Sequence, residues 1–381
     1  MISKTACEST FICGVYKLMD TQKNQAESNS QRTAGSILAT YEGQTEVMEE
    51  VKRTGRKLVI YDGAVYDVAE FMEYVKHPGG NDLIEENLGT DITEKMEEAQ
   101  HSPNAYRNLA KYKVGVIKTS TADSSEKMHD NDHKKYSQEL IDSINRKINL
   151  RKPILHQIYK ANFTLEEYIT FIHDPKLLND PPRDLRIFES NFLEFFSMTP
   201  WYVIPLFWFP LTSYFTYIGY SLLEQKSLLF TAFLFFCGMM SWTIGEYILH
   251  RFVFHYDERL PRSNFCYCVH FLIHGIHHGF PQDRYRLVFP IAFGIVLCLV
   301  LTTLYCSVLG IAKGLIAMAG FGSAYVMYDV LHYSFHHVDI NLSIYRRLKS
   351  YHNRHHYKDP ELGFGVTSPF WDFVFRTNLA F

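Results

Sequence analysis

Residues 228–255 read LLFTAFLFFCGMMSWTIGEYILHRFVFH, an apolar run that ends on one histidine and reaches another five residues later. The run is close to the ~20 residues an α-helix needs to cross a bilayer. Three further stretches share its character, so spans are expected at about 201–221, 227–247, 287–308 and 311–331. They group as two hairpins, because only Glu224-Gln225-Lys226 and Ile311-Ala312-Lys313 separate the partners. Such short turns make the partner helices antiparallel neighbours. Trp201, Tyr202, Trp242 and Tyr247 at the ends of the runs suit a membrane–water interface and argue against the core helices of a soluble bundle.

Charge sets the expected orientation. Residues 248–286 carry Arg251, Arg259, Arg262, Arg284 and Arg286, and residues 332–381 carry Arg346, Arg347, Lys349, Arg354, Lys358 and Arg376. Each turn on the opposite side has one lysine, so the positive-inside rule puts the N-terminal half, 248–286 and the C-terminus in the cytosol.

The whole chain is 381 residues, enough for at least two folding units. It is 47% hydrophobic and 21% charged, which excludes a disordered or collagen-like chain. A net charge of −3 gives no basic surface for nucleic acid, so no nucleic-acid partner is expected. Seven cysteines, an odd number without zinc-finger spacing, read as reduced thiols, Cys266 and Cys268 included. Lys17 interrupts the apolar stretch 11–19, so a signal peptide is not expected.

Composition divides the chain into a flexible tail (1–35), a compact region (36–118), a linker (119–150) and a membrane domain (151–381). In the compact region, Asp62-Gly63 between two strand-like runs signals a hairpin, and helical patches follow at 68–75 and 82–88. His77-Pro78-Gly79-Gly80 ends the first patch, and His101 lies 24 residues after His77. Two neutral imidazoles on opposite faces of one haem iron make a six-coordinate electron-transfer centre. Leu83, Ile84, Leu88 and Met96 would wall it. The stretch from KLVIYDGAVYDV through HPGGNDLIEENLGTD to NLAKYKVGVI closely resembles a cytochrome b5 domain. The resemblance implies an α+β fold with His77 and His101 as the axial ligands of haem b.

Twelve of the 18 histidines fall between His250 and His356. They form four clusters: His250 and His255; His274, His277 and His278; His332 and His336; His352, His355 and His356. Residues at i, i+3 and i+4 share a helix face, so each HxxHH is expected to aim three imidazoles at a common point. His250 and His255, at i,i+5, need local unwinding or serve different metals. Ten rings exceed one coordination sphere and imply two metals. His129 and His133 fall in the polar linker, and His156, His173, His270 and His337 are read as non-ligands. Glu246 and Asp329, charged groups near span ends, are read as partners that orient histidines.

All-imidazole sites suit iron, zinc or copper. Zinc has no redox chemistry, and an electron-carrying haem tethered to a two-metal site favours iron and O2. The pattern HX4H, HX2HH, HX3H, HX2HH, with FFSMTPWYVIPLFW at 195–208, resembles the fatty acid hydroxylase superfamily, and the haem module points to its 2-hydroxylase branch. That resemblance implies an all-α integral membrane domain of four transmembrane helices under a cytosolic histidine-rich helical cap. It makes His250, His255, His274, His277, His278, His332, His336, His352, His355 and His356 the catalytic and metal-binding residues, holding two non-haem ions (iron for catalysis, zinc able to occupy the same site). It further implies residence in the endoplasmic reticulum membrane and 2-hydroxylation of fatty acyl chains or ceramide, with O2 as the expected co-substrate; with no flavin or nucleotide fingerprint in the chain, a separate NADPH-dependent cytochrome b5 reductase or equivalent is the expected partner. Two rivals remain open: a haem-fused desaturase or sterol oxidase, and a membrane-anchored haem carrier whose histidines bind zinc. Free acid, acyl-CoA and ceramide all remain open as acyl donors.

Overall fold

The computed structural model describes residues 38–74, 77–99, 101, 103–118, 138–176 and 185–379. The expected tail, most of the expected linker with His129 and His133, and Cys7, Cys13, Pro181 and Pro182 lie outside these residues.

The first unit is built on β1 (Ala39–Tyr41), α1 (Gln44–Thr54), β2 (Leu58–Tyr61) and β3 (Ala64–Asp67). Asp62 and Gly63 both take positive φ, 47° and 67°, the conformation a two-residue hairpin turn requires. Short helices α2 (Ala69–Tyr74), α3 (Asp82–Glu85), α4 (Thr93–Glu98) and α5 (Pro103–Ala110) follow, then β4 (Lys113–Ile117). The sheet order is β1-β4-β3-β2, with β1 and β4 parallel and the other pairs antiparallel. Alternation along the strands gives two small cores. Tyr41, Val47, Leu58, Ile60 and Val65 fill one face. Val59, Ala64, Tyr66, Val68 and Met72 fill the other, with Phe71, Ile84 and Leu88 packed on it.

The second unit begins with α6 (Gln138–Lys147), α7 (Ile154–Lys160), α8 (Leu165–His173) and α9 (Asn191–Ser197). A capping box starts α8: the Thr164 hydroxyl accepts from the Glu167 amide, and the Glu167 carboxylate accepts from the Thr164 amide. Four long helices follow in register with the sequence expectation: α10 (Val203–Leu222), α11 (Leu228–Leu249), α14 (Ile291–Leu309) and α15 (Ile311–His337). Between α11 and α14 come a π turn (His250–Phe254), a 3-10 turn (Asp257–Arg259), α12 (Asn264–His270), a second π turn (Phe271–Gly275) and α13 (Ile276–Gly279). The chain ends through α16 (Ser343–Tyr357) and α17 (Phe370–Phe375).

Among the described residues, three helical stretches are long and apolar enough to cross a membrane: Leu228–Phe254, Ile291–Leu309 and Ile311–His337. The fourth long helix, α10, has 20 residues, but three tyrosines, two prolines and a tryptophan dilute its apolar character. The long helices expose Leu206, Phe209, Phe233, Phe236, Phe293 and Val300, side chains that suit a lipid environment. Helix α15 is the central one, packed by the other three and buried along about half its length. Where α11 meets α15 the backbones nearly touch. A Cβ on Gly238 would lie 1.9 Å from the Ala317 carbonyl oxygen, and one on Gly320 the same distance from that of Phe235. Small residues at a crossing are what lets apolar helices pack closely without a hydrophobic driving force.

The aromatic pattern needs one correction. Trp201 and Tyr202 are exposed at the start of α10, but Trp242 and Tyr247 are buried. Trp242 packs on Phe321, Tyr325 and Tyr328, and the Tyr247 hydroxyl meets Thr377 Oγ1. These two rings hold the bundle together and do not mark an interface. The five described cysteines are free thiols, and Cys268 donates to the Leu155 carbonyl within a core shared by α7, α8, α12 and α13.

Candidate metal centre

The histidine clusters lie at one end of the long helices, where helix breaks aim them inward. At the end of α11, five residues adopt a π turn, and the His255 amide bonds the His250 carbonyl at 3.0 Å. An i→i+5 bond returns the chain to the same face after five residues, so His250 and His255 point together despite a spacing unsuited to an α-helix. Their ring centroids are 5.0 Å apart. The second π turn, Phe271–Gly275, re-aims the next cluster in the same way. Tyr168 of α8, stacked on Tyr267 at 4.6 Å, and Phe171 on Phe271 hold that segment in place.

All ten singled-out histidines come together, in two adjoining groups of five. One contains His250, His255, His274, His278 and His355, and the other His277, His332, His336, His352 and His356. Within each group the ligating atoms lie within 4.8 Å of one another. Each HxxHH was expected to converge on one point; the structure splits both. The i,i+4 pair stays together, and the histidine between crosses over: His277 joins the α15–α16 group, and His355 joins the α11–α13 group. Adjacent helical positions differ by about 100°, which is why His277 and His278 diverge. The exchange interlocks the groups, and the rings of His278 and His356 stack at 4.2 Å between them.

Chemistry and burial identify what these groups can hold. All ten rings are buried, His355 completely. Yet Nε2 of His250, His332 and His355, and both ring nitrogens of His277, His278 and His356, have no hydrogen-bond partner in the structure. Each unsatisfied buried polar atom costs about 1–3 kcal/mol, so the set makes sense only with a further partner. His274 and His255 bring their Nε2 atoms to 3.1 Å, and His336 and His352 to 3.0 Å. That is the separation of two nitrogens each about 2 Å from one ion. Five donors per group exceed the four of a closed structural zinc site. The residues present therefore fit two metal ions.

Protonation favours the same reading. Burial first, and the neighbouring imidazoles second, hold His274, His277, His278, His352, His355 and His356 well below the usual imidazole pKa. A neutral ring is the form that binds a metal.

Backbone carbonyls fix the tautomers. His250 Nδ1 donates to the Phe364 carbonyl at 2.6 Å and His355 Nδ1 to that of Leu362 at 2.7 Å, which frees both Nε2 atoms for the site. The carbonyls sit in a loop anchored from two sides. Asp372 accepts from the Phe364 and Gly365 amides, and Glu246 accepts from the Val366 and Thr367 amides. Glu246 thus reaches His250 only through this loop. Asp329 accepts from the Phe289 amide and the Tyr325 hydroxyl, and touches no ligand histidine. The expected orienting role belongs to another carboxylate.

Sequence reading missed Asp257. It is buried, with Oδ1 3.0 Å from His270 Nε2, and Oδ2 3.1 Å from His173 Nε2 and 3.5 Å from His255 Nδ1. Burial works to raise its pKa, but the close imidazoles of His173, His255 and His270 hold it far below the ordinary carboxylate range. His173 joins a third small group with His255 and Asp257. His270 stays outside all three groups, its Nδ1 2.9 Å from the Tyr168 hydroxyl. His337 packs against the Tyr333 ring at a tilt, and His156 is exposed. The only sequence signal for Asp257 was its place two residues after His255.

In the first unit, His77 and His101 face each other with Nε2 atoms 3.5 Å apart, near the ~4 Å that two nitrogens across a metal require. His101 Nδ1 is 3.1 Å from the Met96 carbonyl. Burial, then the His101 charge, lowers the His77 pKa to about 4. A Cβ on Gly79 would sit 2.8 Å from Leu83 Cδ1 and 3.2 Å from the His77 ring, so glycine lets the turn pass close beside the ligand ring. These residues fit a bis-histidine haem. A separate apolar recess of about 600 Å³ in the long-helix region, lined by Trp208, Phe215, Cys298 and Thr302 among others, shares no residue with the histidine groups.

Comparison with known proteins matches residues 44–118 to the cytochrome b5-like haem/steroid binding domain and residues 235–377 to the fatty acid hydroxylase family. A ceramide very long chain fatty acid hydroxylase of Saccharomyces cerevisiae is 39% identical over 66% of this chain, and the match spans 62% of that relative's length. A dihydroceramide fatty acyl 2-hydroxylase of Arabidopsis thaliana is 37% identical over 60% of this chain and 92% of its own. A fatty acid 2-hydroxylase of Homo sapiens is 32% identical over 73% of this chain and 79% of its own. A solved structure of full-length scs7p, in which only the hydroxylase domain is visible, is similar with a TM-score of 0.59 at 39% identity, covering 64% of this chain and 89% of that one.

Proposed function

The chain belongs to the fatty acid hydroxylase family and carries a cytochrome b5-like module ahead of the hydroxylase region, and from that premise we propose that it 2-hydroxylates fatty acyl chains in the ceramide and sphingolipid branch of lipid metabolism. The observation that carries this reading is the pair of adjoining, buried five-histidine groups at one end of apolar helices. His250, His255, His274, His278 and His355 would hold one metal, and His277, His332, His336, His352 and His356 the other. With iron bound, the pair supplies O2 activation for C–H hydroxylation, and haem b between His77 and His101 supplies the electrons.

The protein's own contribution is placement and dryness. Burial keeps the rings neutral and excludes water, and the carbonyls of Phe364 and Leu362 with Asp257 present fixed nitrogens. The long helices hold the acyl tail's surroundings apolar, while the histidines wait at the depth of the polar head. Carbon 2 is adjacent to that head, which matches a site just outside the hydrocarbon layer. In this reading α10 is a fourth membrane helix, and the haem module and both metals lie on the cytosolic face of the endoplasmic reticulum, which the arginines of 248–286 and 332–381 support. An NADPH-dependent cytochrome b5 reductase, or an equivalent reductase, would be the electron source for a haem held by His77 and His101.

The test is lipid mass spectrometry after expression in cells that lack 2-hydroxy lipids. The reading expects acyl chains heavier by one oxygen at C2, and iron in the purified protein. Acyl chains lighter by two hydrogens would make the protein a desaturase instead.

A further inference from the structure

Among the described residues, the contacts between the haem-binding unit and the helical unit include two that lie close to a haem-ligand position. Asn353 Nδ2 donates to the Pro78 carbonyl at 2.7 Å. Pro78 follows His77 in the chain, and Asn353 follows His352 of the second histidine group. Arg107 Nη2 pairs with Asp174 Oδ2 at 2.7 Å. Arg107 lies on α5, the helix that follows His101, and Asp174 follows His173, whose ring reaches Asp257 and through it His255 of the first group. Each ligand-bearing segment of the small unit therefore meets an element that supports one histidine group.

The second contact is not an ordinary surface pair. Asp174 is 6% exposed and Arg107 35%, so the pair is partly desolvated and screened less than a surface one. A weaker, exposed pair, Arg346 with Asp82 at 3.9 Å, lies nearby. A cavity of about 200 Å³ in the seam is lined by Arg107, Asn108 and Lys111 on one side and Thr170, Asp174 and Lys176 on the other. Small, polar and incompletely filled, the seam resembles transient interfaces more than obligate ones.

We propose that this is the working dock of the haem module, with Asn353 and Arg107 as positioning residues that seat its two ligand segments against the two histidine groups. The proposal rests on the functional reading only for its purpose, electron delivery; the dock itself is a structural claim. Asn353 neighbours proposed ligands, so the decisive variants are Arg107→Glu, Asp174→Arg and the charge-swapped double.

In the purified full-length protein loaded with haem and metal, hydrogen exchange of amides 77–82 should speed up about tenfold in each single variant, as expected for breaking a partly buried pair. Single-turnover reoxidation of reduced haem should slow by a similar factor, while the haem absorption spectrum stays unchanged. The double variant should restore both to within about threefold of the wild type, a rescue that a merely structural lesion would not show. Exchange and reoxidation unchanged in both single variants, or no recovery in the double, would overturn the dock. Product analysis on the same wild-type preparation tests the hydroxylase reading separately, because exchange does not depend on product.

Discussion

Replacing Asp257 with Asn removes one negative charge and almost no volume from the first histidine group. The carboxylate lies within 3.0–3.5 Å of nitrogens from His173, His255 and His270, and only 2% of it reaches solvent. An amide offers one acceptor where the carboxylate offers two, so its NH2 group must face an imidazole N–H. One ring then loses its partner inside the protein, at a cost of about 1–3 kcal/mol. His255 also loses the anion that orients it, and lesions of this kind lower metal affinity or activity by about 10–100-fold. At 1.36 kcal/mol per decade, that is about 1.4–2.7 kcal/mol off the binding of one ion. A chelator competition that follows metal per chain should show one ion leaving at about 10–100-fold lower chelator concentration. The second ion, held without Asp257, should leave as in the wild type. Loss of less than about twofold for both ions, or equal loss of both, would refute the argument that Asp257 supports the first group alone.

Three further outcomes follow from the geometry. His355→Ala and His277→Ala each remove a crossing ligand, so each should abolish 2-hydroxylation and cost mainly one ion per chain while the haem spectrum persists; full activity in either contradicts the assignment. Gly320→Val would drive a side chain into the Phe235 carbonyl and should lower stability by about 1–3 kcal/mol or more, seen as a lower melting temperature in detergent. An unchanged melting temperature would mean that α11 and α15 are not in contact. Acid should destabilise the haem-free chain's first unit as pH falls from about 6.5 toward about 4. The folded chain keeps His77 neutral where the unfolded chain protonates it, so the stabilisation is complete above the unfolded pKa and drains as pH drops to the folded value of about 4. Denaturant unfolding of the haem-free chain across that range reports the loss, and a stability unchanged between pH 6.5 and about 4 would contradict it.

What the sequence made legible follows from how local each signal is. Asp62-Gly63 announces its hairpin because only a few residues tolerate two positive φ values in succession. The ten histidines were visible because imidazoles at the ends of apolar helices have no bland use. Their division was not, because a face argument assumes one helical period throughout. Two π turns, at His250–Phe254 and Phe271–Gly275, break that period, and the 100° between His277 and His278 sends them to different groups. Asp257 and His173 were hidden for another reason. They are 84 positions apart in the chain and meet only when α8 packs beside the 3-10 turn, a tertiary event with no local mark. Asn353 belongs to the same class, since its partner Pro78 comes from the other unit.

Two ions lying in the two interlocked histidine groups would make the reactive centre of this protein. Anomalous X-ray scattering at the iron edge, from crystals of the full-length protein produced with iron, locates such ions directly. Two separate peaks are predicted, one among His250, His255, His274, His278 and His355, the other among His277, His332, His336, His352 and His356. A single peak, or metal bound elsewhere while these ten rings stay empty, would contradict it.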